Sequence, residues 1–240
     1  MKGVVLAGGR GTRLRPVTRV VNKHVLPIYD KPMIYYPVNT LVNAGLDEIL
    51  VISNAEHIGK YIELLEEDFE ADFQYKVQSE PKGIAQAVSL AKEFVDDKFA
   101  VILGDNILLA SDLETQIRGF DGEGAKIYLK EVDEPAAYGV ASVKDGRVVN
   151  LEEKPATPES NLAVIGLYLY TRDVFDVIDD LELSERGEYE ITDVNKEYAS
   201  RGSLQYELFE GEWFDAGTPE GVYQASKFVR EAAHVDDGST

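Results

Sequence analysis

Two rhythms of apolar positions alternate along the first half of this chain. Short continuous apolar runs read as buried strands, and stretches with apolar residues three and four apart read as amphipathic helices. In order, the pattern predicts a strand at Val4–Ala7 and a helix at Pro37–Asn43 ended by Gly45. A strand at Glu48–Ser53 and a helix at His57–Glu67 follow, the helix with Ile58, Ile62 and Leu65 on one face. Phe73–Gln78 is the next strand, Ile84–Val95 a helix, and Phe99–Leu103 a further strand. Such alternation predicts an α/β fold, with a largely parallel sheet and helices on both faces. The loop Gly104-Asp105-Asn106 falls at the carboxyl end of a strand, where open α/β sheets place their ligands.

Beyond a strand at Lys126–Glu131 the rhythm changes. Val140–Val143 and Val148–Leu151 flank Asp145-Gly146, the pattern of a small β-hairpin. Leu162–Tyr170 reads as a strand, Asp173–Leu181 and Ile191–Ser200 as helices, and Leu204–Phe209 as a strand. Pro219–Ala233 closes the pattern as a helix with proline in its first turn. With neither repeat nor linker, residues 1–235 read as one domain and 236–240 as a disordered tail.

Composition narrows the possibilities. The 240 residues are 44% hydrophobic, enough for a sizeable core, yet no segment approaches a membrane span. The first strand starts at once, which predicts a cytoplasmic protein without a secretory signal. With no cysteine, disulfides, thiol catalysis and cysteine zinc sites are excluded. His24, His57 and His234 show no metal-ligand spacing. A net charge of −20 disfavours nucleic acid as a partner, whereas a small nucleotide can still be held by cations clustered in a cleft. The same charge suggests a halophilic origin, with carboxylates for solubility and salt to screen their repulsion.

The chemistry begins at Leu6-Ala7-Gly8-Gly9-Arg10-Gly11-Thr12-Arg13-Leu14-Arg15. A glycine-rich turn lets backbone N–H groups point at one anion, and the arginines that follow suit phosphate. It is not a P-loop, for no Gly-Lys-Ser/Thr occurs, and the dinucleotide fingerprint fails at Leu14. Other polar groups stand at strand ends where a core does not need them: Lys23, Asp105, Glu153, Lys154 and Asp215. Two such carboxylates suit Mg²⁺, which takes one or two carboxylates plus phosphate oxygens and water. No buried His–Asp base pair is evident, which favours phosphoryl or nucleotidyl transfer over hydrolysis, since a phosphate nucleophile is already anionic. Gln78 and the turn Pro81-Lys82-Gly83 offer donor and acceptor groups suited to a base edge.

These blocks resemble the sugar-phosphate nucleotidylyltransferases, and among them the glucose-1-phosphate thymidylyltransferases, from Met1 to about Ala233. The resemblance is carried by Leu6–Leu14, Leu26–Pro37, Pro81–Ala87, Leu103–Asn106, Tyr138-Gly139-Val140 and Glu152–Pro155, then Arg186-Gly187-Glu188, Glu190–Asn195 and Asp215–Thr218, all in order. It implies a three-layer, Rossmann-like nucleotide-binding fold with a mixed, mainly parallel central sheet. It implies attack by a sugar 1-phosphate on the α-phosphorus of dTTP, with UTP as the alternative, and release of pyrophosphate. Leu6, Ala7, Gly8, Gly9, Gly11, Thr12 and Arg13 would wrap the triphosphate, with Arg13 stabilising the transition state. Lys23 would pair with phosphate, Gln78 and Gly83 would hold the pyrimidine with Pro81 beside them, and Asp105 and Asp215 would bind Mg²⁺. Asn106, Tyr138, Gly139, Glu153 and Val164 would line the sugar, and Lys154 would grip its phosphate. Arg13, Lys23, Asp105 and Lys154 are thus the expected catalytic set, in a homo-oligomer. A non-catalytic nucleotide-sugar regulator is the competing class, but none of the charged groups is missing. The chain departs from the pattern at His24 (usually Gln), Tyr189 (usually Leu) and Ala216 (usually Thr), and reads as a short form without the helical extension of longer bacterial members.

Overall fold

In a computed structural model, the backbone is described over residues 1–237 and side chains over 1–234. The elements are β1 (Lys2–Leu6), β2 (Pro27–Ile28), β3 (Lys31–Pro32), α1 (Tyr35–Asn43), β4 (Glu48–Ser53), α2 (Ala55–Asp68), β5 (Asp72–Val77) and α3 (Ile84–Ser89). There follow β6 (Lys98–Leu103), β7 (Asn106–Leu109), α4 (Leu113–Arg118), β8 (Ala125–Glu131), β9 (Gly139–Lys144) and β10 (Arg147–Glu153). The chain continues through β11 (Leu162–Thr171), α5 (Val174–Asp179), α6 (Ile191–Ser200), β12 (Leu204–Leu208), β13 (Glu212–Asp215) and α7 (Pro219–Asp237).

The central sheet is mixed. β5, β4, β1 and β6 run parallel in that spatial order, so the sequence order reverses beside β1. β11 then lies antiparallel to β6, and β8 and β12 extend the sheet beyond it. β11 is shared: Leu167–Thr171 pairs with β6, whereas Ala163 pairs with Val140 of the β9–β10 hairpin. An irregularity between Val164 and Tyr168 separates the two halves. Alternation along β1 builds the layers, with Val4 and Leu6 packing towards α3, α5 and α6. Val5 and Ala7 face the other way, towards α1, α2 and α4. Among the described residues, no helix is long and apolar enough to cross a membrane.

Several predicted elements are corrected. The helix expected over Ile84–Val95 ends at Ser89, and the next residues close into tighter turns, with Ala91 N–H donating to Val88 O (2.9 Å) and Phe94 N–H to Ala91 O (2.9 Å). That tightening brings Ala91, Phe94 and Val95 all into the core. On α2 the buried face is Tyr61 and Leu65, whereas Ile62 is exposed. Asn106 opens a strand rather than lying in a loop, because β7 pairs antiparallel with β13. β2, β3, α4 and β13 have no counterpart among the predicted elements. Of the predicted tail 236–240, the first two residues belong to α7, and 238–240 lie outside the described residues.

Candidate active site

The reversal of strand order beside β1 opens a crevice at the carboxyl ends of β1 and β6, as expected at a topological switch point. A cleft of about 930 Å³ lies there. Gly8 and Gly9 line it just past β1, and Lys23 reaches it from the turn Lys23–Val25. Asp105 enters from the junction of β6 and β7. The Lys23 ammonium is ion-paired to Asp105 Oδ2, with both side chains about nine-tenths buried. Asn106 Nδ2 donates to the other oxygen of Asp105 at 3.2 Å. Burial alone pushes the Asp105 carboxyl up, but the attraction and hydrogen bond of Lys23 outweigh it and hold the group well below the usual carboxylate range.

Asp215, at the end of β13, is brought beside Asp105 by the β7–β13 ladder, in which Asp215 faces Asn106. The Ala216 N–H donates to the Asp105 carbonyl at 2.9 Å, locking the two strand ends together. A methyl group on Gly217 would stand 2.5 Å from Arg13 Nη2, 2.8 Å from Asp215 Oδ1 and 3.0 Å from Asp105 Oδ2. Both carboxylates and the Arg13 guanidinium therefore converge on one point. Arg13 Nη1 lies 3.4 Å from Asp215 Oδ2, and the Gly217 N–H donates to Asp215 Oδ1 at 2.9 Å. The pKa of Asp215 is nevertheless raised, first by burial and then by the neighbouring charge of Asp105.

In the cleft wall, the buried Gln78 carboxamide lies over Gly8 and donates to Gln86 Oε1 at 2.7 Å. Gly83 adopts φ +102°, and any side chain there would run into the backbone of Tyr189. Hydrogen bonds from Tyr189 N to Lys82 O (2.8 Å) and from Ala85 N to Tyr189 O (3.2 Å) zip this turn to the segment before α6. Glycine is required there, because an L side chain meets both strain and a clash.

Next to Asp105, Asn106 Oδ1 accepts from the Gly166 N–H (3.0 Å) and from Trp213 Nε1 (2.7 Å). The Trp213 ring meets Tyr138 edge-on, centroids 5.0 Å apart. Glu153 accepts from Thr192 Oγ1 (2.6 Å) and pairs with Arg186 (3.1 Å) and Lys154 (3.3 Å). Lys154 holds a left-handed backbone, φ +45°, while its N–H donates to the Tyr138 carbonyl at 2.9 Å. A non-glycine residue kept in this region marks a site whose surroundings over-determine it.

Most residues singled out from the sequence border this one cleft: Leu6, Gly8, Gly9, Arg13, Lys23, Gln78, Pro81, Gly83, Asp105, Asn106, Tyr138, Gly139, Glu153, Lys154, Val164 and Asp215. Ala7, Gly11 and Thr12 do not line it. The Ala7 N–H is spent on Ile52 O (2.8 Å), and its carbonyl on Ser53 Oγ (2.8 Å) and the Tyr61 hydroxyl (3.3 Å). Gly11 makes the left-handed turn before the short helical turn Thr12–Leu14. The lining also includes Arg10, Thr192 and Trp213, to which the sequence reading gave no role. All three stand inside or beside blocks that carried the resemblance, the one available signal.

A family model described as nucleotidyl transferase matches residues 2–232. The chain belongs to the nucleotidyl transferase family. This nucleotidyl transferase is 45% identical to the glucose-1-phosphate thymidylyltransferase of Mycolicibacterium smegmatis, over 96% of this chain and 82% of that protein. It is 39% identical to the enzyme of the same name from Neisseria meningitidis, over 99% of this chain and 85% of that one. A crystal structure of a candidate glucose-1-phosphate thymidylyltransferase from Bacillus anthracis, in complex with a sucrose, superposes with a TM-score of 0.90 at 43% identity, covering 96% of this chain and 95% of that one. A UDP-glucose pyrophosphorylase complexed with UDP-glucose superposes at 0.84 with 27% identity, covering 96% and 98%. The mixed sheet is thus the Rossmann-like fold of nucleotidyltransferases.

Proposed function

We propose that this nucleotidyl transferase is a glucose-1-phosphate thymidylyltransferase. A phosphate oxygen of glucose 1-phosphate attacks the α-phosphorus of dTTP; the bond from that phosphorus to the bridging oxygen breaks, giving dTDP-glucose and pyrophosphate. The nucleophile is an anion already, so no side chain has to remove a proton. The observation that carries this reading is the convergence of Arg13, Lys23, Asp105 and Asp215 in the same cleft that Gln78, Gly83, Glu153 and Lys154 line.

Each residue has a task in this scheme. Gln78 and Gly83, with Pro81 beside them, hold the pyrimidine through its amide edge. Backbone N–H groups of the Gly8–Gly9 turn and the Lys23 ammonium take the triphosphate, and Arg13 meets the charge that builds on the α-phosphoryl group. Asn106, Tyr138, Gly139, Glu153 and Val164 bind the hexose, and Lys154 grips its phosphate. Among the described residues no third acidic or imidazole ligand joins Asp105 and Asp215. Two carboxylates aimed at one point, one with its pKa raised by burial and then by the other's charge, fit a hard divalent cation that completes its shell with phosphate and water. Asp105 and Asp215 would hold Mg²⁺ there, and the ion would supply Lewis-acid neutralisation of phosphate charge.

Pyrophosphate release with dTTP, UTP and GTP against glucose 1-phosphate tests the reading. The expected order places dTTP first, with UTP behind it by a modest factor, since one methyl group is worth only about 1–3 kcal/mol. Preference for UTP would make the enzyme a UDP-glucose pyrophosphorylase instead. Binding without turnover of any triphosphate would make it a regulator.

A further inference from the structure

His24 is a buried imidazole that the scheme above leaves without a task. It follows Lys23 in the turn Lys23–Val25, and only 1% of it is exposed. The side-chain oxygen of Asn22 accepts from the His24 backbone N–H at 2.7 Å and lies 3.0 Å from ring Nδ1. From α2, the Tyr61 hydroxyl stands 3.1 Å from the same nitrogen and donates to the Ala7 carbonyl at 3.3 Å. The Asn22 carboxamide oxygen can only accept, and the single hydroxyl hydrogen of Tyr61 goes to Ala7, so the ring proton facing both belongs to Nδ1. The other edge of the ring is flush against Gly104, where a methyl group would stand 2.8 Å from His24 Cδ2 and 3.0 Å from Nε2. Gly104 in turn donates its N–H to the Leu6 carbonyl at 2.9 Å.

One ring therefore touches, directly or through Tyr61, the three backbone segments that carry the phosphate-handling groups. These are the root of the glycine turn at Ala7, the turn that carries Lys23, and the strand end that carries Asp105. Burial first, and the Lys23 ammonium second, push the His24 pKa well below the usual imidazole value, so the ring adds no competing charge.

We propose that His24, with its ring proton on Nδ1, is a positioning residue that sets the Lys23 ammonium against Asp105 and the glycine turn. The inference rests on the transferase reading above. It acts on turnover rather than on substrate affinity, because misplacing a phosphate-handling group by about 1 Å costs up to about 100-fold in rate.

The test uses His24→Leu, His24→Gln and Tyr61→Phe in the full chain, with kcat and both KM values from pyrophosphate release. His24→Leu fills the space without a donor and should lower kcat about tenfold or more, with each KM within about twofold. His24→Gln carries an amide N–H that can reach the same hydroxyl and should hold kcat within about threefold. Tyr61→Phe removes a single oxygen, should reproduce the kcat loss, and should add little to His24→Leu in the double variant. Unchanged kcat in folded His24→Leu or in Tyr61→Phe, a loss carried in KM, or no rescue by glutamine overturns the proposal. Nitrogen-15 NMR of the unaltered protein provides a second readout, with Nδ1 protonated and Nε2 bare. The Nε2–H tautomer overturns the proposal whether or not any triphosphate turns over. If the unaltered protein releases no pyrophosphate, the transferase reading fails and the NMR result alone decides the placement of His24.

Discussion

Replacing Lys23 by methionine keeps most of the length of the side chain and removes its charge, which isolates the ion pair with Asp105. Both side chains are close to nine-tenths buried, at 11% and 12% exposure, so solvent screens the pair little. At an effective dielectric constant of about 20, two unit charges 4 Å apart attract by about 4 kcal/mol. Removing one partner of a buried pair costs about 3–5 kcal/mol. The Asn106 amide still donates to Asp105, which places the expected loss towards the lower end. About 2–4 °C per kcal/mol for a chain of this size gives a fall of about 6–20 °C in Tm. The pH dependence carries the sharper test. With Lys23 present, the folded pKa of Asp105 lies below the unfolded value of about 3.9, so its stabilisation is complete at neutral pH and is lost only in strong acid. Without Lys23, burial raises the folded pKa above the unfolded one, and the variant regains stability as pH falls towards that raised value. Urea unfolding followed by Trp213 fluorescence at about pH 7.5 and pH 5, at one salt concentration, reads both effects. A gap below about 1 kcal/mol near neutrality, or a gap that stays constant or widens on acidification, would refute the reasoning.

Asp215→Asn keeps the shape of the site and removes one of two converging carboxylates, so turnover should fall by orders of magnitude while circular dichroism stays unchanged. A rate equal to that of the unaltered enzyme would remove Asp215 from metal binding. Arg13→Ala should lower kcat more than it weakens dTTP binding, read from calorimetry beside kinetics, and the reverse would make Arg13 a ground-state anchor. Gly83→Ala combines a positive φ with a clash against Tyr189, so Tm should fall by several degrees and the KM for dTTP should rise. The net charge of −20 predicts loss of structure in dilute buffer that molar KCl restores, and full stability without salt would count against a halophilic origin.

The periodic elements were legible because burial dictates them: β1, β4, β6 and α6 lie where their apolar patterns put them, within a residue or two. What failed did so for local reasons. Ile84–Val95 has the composition of one helix, yet Phe94 and Val95 both had to turn inward. The β7–β13 ladder joins residues more than a hundred positions apart, and no local pattern announces such a pairing. Charged groups at strand ends were visible as residues that a core does not need. Their supports were not: Thr192 against Glu153 and Trp213 against Asn106 are contacts between distant segments. Ala7 illustrates the opposite limit, since its place beside the glycines gave no sign that its backbone was already fully engaged.

β11 has a further consequence. Val164, Gly166 and Tyr168 all border the cleft from this one strand. The stretch from Val164 to Tyr168 is bulged, four steps of β11 facing two of β8, so it forms a bent wall of the cleft. The hairpin is stitched to its first half and the parallel strands to its second. An acceptor bulkier than a single hexose therefore gains no room by prying the two ends apart, and its extra rings must grow outward into water.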